Sequence, residues 1–163
     1  MRCRPLLALA LCCLLMPVAV GAQQANIAFG GLKQDTSLPV QVEADSLTVE
    51  QASGTAVFSG NVRVAQGDLK LAAARVQVEY AADGKAIERL HASGGVTMAN
   101  ASDAAEAKEA VYTIDSGNLV MTGDVLLTQG QSAIAGQKLV IDLKAGTGVM
   151  EGRVSTTFVP GSK

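Results

Sequence analysis

The chain has 163 residues, 17% of them charged and 3% aromatic, with no tryptophan; 13 basic against 15 acidic residues give a net charge of −2. That balance excludes the basic face on which nucleic-acid binding depends, and the length is enough for one domain. All three cysteines (Cys3, Cys12 and Cys13) stand at the extreme N-terminus, so the rest of the chain has no thiol for a disulfide, a nucleophile or a zinc–thiolate site.

In chain order, Arg2 and Arg4 form a short basic region, Leu6 to Val20 is an apolar run, and Val20-Gly21-Ala22 places small residues at the −3 and −1 positions of a cleavage site. This pattern predicts a secretory signal peptide over residues 1–22, with Ala25 as the alternative cleavage point. The run is shorter than the ~20 apolar residues of a membrane span. Leu11 before Cys12, and Cys12 before Cys13, do not supply the small residue expected ahead of a lipidated cysteine. Removing the segment leaves 11 basic and 15 acidic residues. Export without a disulfide means that apolar burial must hold the fold.

Residues 23–38 form a lead segment, and 39–160 form the domain. Within it two anchors recur. A small residue opens an alternating apolar run at Ala44, Ala73, Ala107 and Gly136, and a glycine stands two residues before a valine at Gly60, Gly94, Gly123 and Gly152. Within each copy the anchors are 16, 21, 16 and 16 residues apart, and 13 residues separate each copy from the next. The unit is therefore about 29 residues, with an insertion around Ala82 to Lys85, which is the mark of stacked supersecondary units sharing a core.

Each unit reads as strand, because apolar residues recur at every second position and turn signals fall between the runs. Two or three strands per unit predict a dozen or more in all. Ala99 to Glu109 is alanine-rich but broken by Asn100-Ala-Ser-Asp103, and reads mostly as a loop leading into a strand at 110–115. Period two points Val40, Val42, Leu47, Val49, Phe58, Val62, Val64, Leu69, Leu71, Val76, Val78, Val96, Met98, Tyr112, Ile114, Met121, Val125, Leu127, Leu139 and Ile141 inward. Arg63, Lys70, Arg75, Gln77, Thr97 and Thr113 then face solvent. Such slim aliphatic residues suit either a thin packed sandwich or an apolar trough that accepts alkyl chains.

No constellation for catalysis stands out. His91 is the only histidine, no G-x-S-x-G elbow accompanies it, and it has no second histidine or cysteine with which to hold a transition metal. Glu43 and Asp45, Glu88, and Asp103 to Glu109 are scattered acids that read as solvated surface rather than as a glycosidase pair. Gly146-x-Gly148-x-x-x-Gly152 lacks dinucleotide-loop spacing, and no phosphate loop exists. The expectation is a non-enzyme with no cofactor and no catalytic or metal residues.

Phe58-Ser-Gly-Asn-Val-Arg-Val-Ala-Gln-Gly-Asp-Leu-Lys-Leu71, Ala73-x-Arg75-Val76, Ala110-Val-Tyr112, the opening Pro39-Val40-Gln-Val42-Glu-Ala-Asp45-Ser-Leu47 and the closing Gly152-Arg-Val154-Ser-Thr-Thr-Phe158-Val-Pro160 resemble the OstA-like family of lipopolysaccharide (LPS) transport proteins. The resemblance implies an open twisted β-jellyroll of about sixteen antiparallel strands, in two sheets forming a V with an apolar interior. It implies a periplasmic bridge between an inner-membrane-anchored homologue and the N-terminal domain of an outer-membrane barrel, joined head-to-tail to further copies of itself. Lipopolysaccharide would sit with its lipid A acyl chains in a groove lined by Val40, Val42, Val62, Val64, Val78, Val96, Met98, Tyr112 and Ile114. The terminal segments, with Val40, Val42, Val154, Phe158 and Val159, would make the joints. Two rivals compete with this reading. One is an exported structural β-solenoid with a dry core, and the other is a glycan-acting enzyme using His91 or Glu43.

Overall fold

The computed structural model describes the backbone of residues 25–28 and all of residues 33–158. The expected signal segment 1–22 and the interface residue Val159 lie outside the described residues. Among the described residues there are eleven strands: β1 (Ala25–Ala28), β2 (Gln41–Glu43), β3 (Ser46–Glu50), β4 (Thr55–Gln66), β5 (Leu69–Tyr80), β6 (Ile87–Asn100), β7 (Asp103–Thr113), β8 (Asn118–Gln129), β9 (Ser132–Asp142), β10 (Thr147–Glu151) and β11 (Ser155–Thr157). They pair antiparallel in one sheet, in the order β1-β10-β9-β8-β7-β6-β5-β4-β2, with β3 also on β4 and β11 also on β9.

Among the described residues there is one sheet of eleven strands, where two sheets of about sixteen strands were expected. β4, β6 and β8 run through Gly60, Gly94–Gly95 and Gly123 as single strands, and the register shifts there. The shifts fall between Ser59 and Val62, Ser93 and Val96, and Thr122 and Val125. Two consecutive residues at each shift take positive φ: Gly60 and Asn61, Gly94 and Gly95, Gly123 and Asp124. Such bulges bend and twist a strand without ending its ladder. At Gly94 the requirement is doubled, because φ is +83° and a Cβ there would stand 2.7 Å from the methyl of Ala74.

The bulges divide the sheet into two halves. Half A carries segments 55–59, 75–80, 87–93, 109–113, 118–122 and 138–142, edged by β3 on one side and β10 with β1 on the other. Half B carries 62–66, 69–73, 96–100, 103–107, 125–129 and 132–136, edged by β2 and β11. The apolar faces of both halves contribute to one buried cluster.

The alanine-rich stretch read as a loop is the strand β7. Only Ala101 and Ser102 turn between β6 and β7. Ala105, Ala107 and Ala110 point inward and are buried, while Glu106 and Lys108 face out. Ala105 sits in its row between Met98 and Leu127, and Ala110 beside Met121, so packing overrides alanine's helix preference.

Candidate functional site

The interior is built of cross-strand rows, since residues paired across antiparallel strands project to the same face. In half B, Val42, Val64, Leu71, Met98, Ala105, Leu127 and Ile134 form one row through successive pairings. In half A, Val49, Ala56, Val78, Leu90, Tyr112, Leu119, Ile141 and Gly148 form another, and Leu47, Phe58, Val76, Ala92, Ala110, Met121, Leu139 and Met150 a third beside the bulges.

Burial along these rows is graded. Met98, Leu119, Met121, Leu127, Leu139, Ile141, Leu143 and Met150 are fully buried. At the β2–β3 edge the same rows end in the open: Leu47 is 54% and Val49 60% exposed, and Val40 and Val42 are partly buried. Among the proposed groove residues, Val62, Val64, Val78, Val96, Met98 and Tyr112 lie in the buried cluster, and Val40, Val42 and Ile114 pack at its margin. Among the joint residues, Val154 packs against the cluster and Phe158 is 74% exposed.

Gln66, passed over in the sequence, sits at the centre of the polar structure inside. It is 2% exposed. Tyr112 Oη donates to Gln66 Oε1 at 2.7 Å, and Gln66 Nε2 donates to the carbonyls of Thr36 (3.0 Å) and Leu38 (2.8 Å). Tyr112 belongs to half A and Gln66 to half B, so this bond links the facing halves. Burial pushes the Tyr112 hydroxyl up to about 12. Its signal in the sequence was positional: Gln66 continues the inward series Val62, Val64 with a polar side chain.

Residues 33–40 form a strap across the hairpin tips. Gln34 N–H donates to the Leu143 carbonyl at 2.8 Å, at a half-A tip. At a half-B tip, a Cβ on Gly67 would stand 2.9 Å from Leu38 Cδ1 and 3.2 Å from Gln34 Oε1. The strap turns at Asp35, whose carboxylate accepts the Ser37 N–H and hydroxyl; these bonds hold the Asp35 carboxyl below its usual value.

The candidate catalytic groups face elsewhere. His91 lies on the outer face with Nε2 3.5 Å from Glu109 Oε2, and Asp45 accepts from Asn61 Nδ2 at 2.8 Å. Glu43 lines an outer concavity of about 340 Å³ on half B with Gln41, Arg63, Lys70 and Thr97. Among the described residues no group of three or more His, Cys, Asp or Glu could hold a metal ion, and no helix is long and apolar enough to cross a membrane.

Residues 41–147 match the family described as LptA/(LptD N-terminal domain) LPS transport protein. The chain belongs to this family. The lipopolysaccharide export system protein LptA of Escherichia coli K12 is 29% identical over 146 residues, covering 83% of this chain and 79% of LptA. An uncharacterised protein of Rhizobium meliloti, R00383, is 28% identical over 160 residues, covering 91% of this chain and 86% of its own length. The crystal structure of LptH, the LptA-homologous periplasmic component of the Pseudomonas aeruginosa lipopolysaccharide transport device, superposes with a TM-score of 0.69 at 21% identity, covering 78% of this chain and 99% of LptH. The fold is thus the all-β, LptA-like one, and the family's role is LPS transport, not catalysis.

Proposed function

We propose that this chain is the periplasmic LPS-binding bridge of an export system. It carries LPS from an inner-membrane transport complex to an outer-membrane assembly complex. The observation that carries the reading is the set of apolar rows running from β3 to β10 and left uncovered at the β2–β3 edge. The halves act as the arms of a V, each long strand serving both, and the acyl chains lie against Val40, Val42, Val62, Val64, Val78, Val96, Met98, Tyr112 and Ile114. Burial stabilises an alkyl chain by ~0.8 kcal/mol per methylene, so a multi-chain lipid needs a continuous dry path.

That path continues between subunits by strand pairing at open edges, as exposed edge strands allow. The joints use Val40 and Val42 at one end and Val154, Phe158 and Val159 at the other. The partners are an inner-membrane-anchored homologue (LptC-like), the N-terminal domain of an outer-membrane barrel (LptD-like), and further copies of this chain, head-to-tail.

The fully buried side chains around Leu139 favour a second reading, a structural β-solenoid whose core admits no ligand. One experiment separates the two. A photo-crosslinking residue is placed at Ile114 or at Thr113, and the protein is exposed to LPS. The bridge predicts a lipid adduct at 114 and none at 113; adducts at neither, in a folded protein, favour the solenoid.

A further inference from the structure

The two halves end unevenly. Across half B the strands run β2-β4-β5-β6-β7-β8-β9-β11, eight in all, and across half A β3-β4-β5-β6-β7-β8-β9-β10 also makes eight. Among the described residues β1 adds a ninth strand to half A alone. Every pairing is antiparallel, so strand direction alternates from each strand to the next. β1, eight steps from β3, therefore runs in the same direction as β3.

The register agrees as well. The rows that begin at Leu47, Thr48 and Val49 on β3 end at Met150, Val149 and Gly148 on β10. β1 pairs Ala25 with Met150, Asn26 with Val149 and Ile27 with Gly148. Ala25, Asn26 and Ile27 thus take, at one end of half A, the register positions that Leu47, Thr48 and Val49 hold at the other.

A second copy joined head-to-tail in the same orientation brings its β2 and β3 to this end together, because both pair with β4 and only Ala44 and Asp45 lie between them. On half B its β2 meets β11 antiparallel, with Val42 opposite Thr156 in one continued row. On half A its β3 meets β1, runs parallel to it, and stands one strand spacing, ~4.8 Å, farther out than β2 does. With β1 gone, β3 lies antiparallel on β10, level with β2 on β11. Leu47 and Val49, exposed in the single chain, then extend the rows of Met150 and Gly148.

We infer that β1 is a self-cap: it fills the slot on β10 that β3 of a second copy takes when two copies join, and joining exchanges one strand for the other. The inference rests on the proposed head-to-tail joint and adds its docking edge and its register. An open edge invites indiscriminate pairing. The cap closes the half-A edge until a strand of matching direction and register displaces it. Because β1 is tethered to the edge it covers, it competes at a high effective concentration. A cap closed about nine-tenths of the time weakens the joint about tenfold.

The test uses the protein lacking residues 1–22, which has no cysteine of its own. Asn26→Cys together with Val149→Cys staples β1 onto β10. Sedimentation should find the oxidised protein monomeric at concentrations where the reduced protein forms chains. Deleting residues 23–28 should let chains form at about one-tenth of the wild-type concentration. A third measurement reads the register and does not depend on the deletion folding. Thr48→Cys chains mixed with Val149→Cys chains should give a mixed disulfide, and mixed with Asn26→Cys chains they should give none.

Oxidised stapled protein that assembles like the reduced form overturns the cap. So does a disulfide between the Thr48→Cys and Asn26→Cys chains, or unchanged assembly by a folded deletion variant. Each of these leaves the head-to-tail joint standing. Absence of assembly in wild-type, deleted and reduced protein alike overturns the joint, and the cap with it, while LPS binding is read separately by crosslinking at Ile114.

Discussion

Tyr112 and Gln66, 46 residues apart in the chain, meet at 2.7 Å inside the fold and hold its two halves to each other. The same Gln66 amide fixes the strap through Thr36 and Leu38. One side chain thus ties both halves and the N-terminal segment together, in a setting where an unpaired polar group is expensive.

Removing this tie should be measurable by urea unfolding. Tyr112→Phe leaves one acceptor unpaired and should lower stability by about 1 kcal/mol. Gln66→Leu strands the tyrosine hydroxyl and two strap carbonyls, and should cost about 3 kcal/mol. The double variant should fall short of the sum, because the residues share a bond. A Gln66→Leu protein as stable as wild type would mean that the strap is held by other contacts.

The same residue sets an alkaline limit. Burial raises the Tyr112 hydroxyl from 10.0 to about 12, so the unfolded chain gives up this proton before the folded one does. The stability it contributes is intact below pH 10 and is lost as pH rises from 10 towards 12, on the order of 2 kcal/mol in all. Wild type and Tyr112→Phe should therefore differ in the slope of stability against pH within that window and run parallel below it. Parallel curves throughout would place the hydroxyl in a wetter environment.

Gly94 and Gly95 separate two effects at one bulge. Both have φ beyond +80°, but a Cβ at Gly94 would meet Ala74 at 2.7 Å, whereas nothing lies within 4 Å of a Cβ at Gly95. Gly95→Ala should cost about 1–2 kcal/mol from the backbone alone. Gly94→Ala should cost about 1–3 kcal/mol more, from overpacking. Equal losses, compared by thermal or urea melts, would show that Ala74 yields without penalty.

Much of the interior was legible because alternation is a local property. Val62, Val76, Val78, Met98, Met121, Leu127, Leu139 and Ile141 were assigned inward from period two and are buried. Leu47 and Val49 obey the same alternation yet are exposed, because they occupy an edge strand that has a neighbour on one side only. The strand Asp103–Thr113 was read as strand only from residue 110 and its first part as loop, because a run of alanine carries no clear alternation until the neighbours it must fit between are known.

The sequence by itself determined which residues face which way, where the chain bends, and the family to which it belongs, since these depend on side-chain order over a few positions. Only the tertiary structure decided that the glycines bend strands without ending them and that Gln66 is a buried tie. Those outcomes depend on which distant strands lie side by side, and the free energy that selects the pairing comes from burying both faces together.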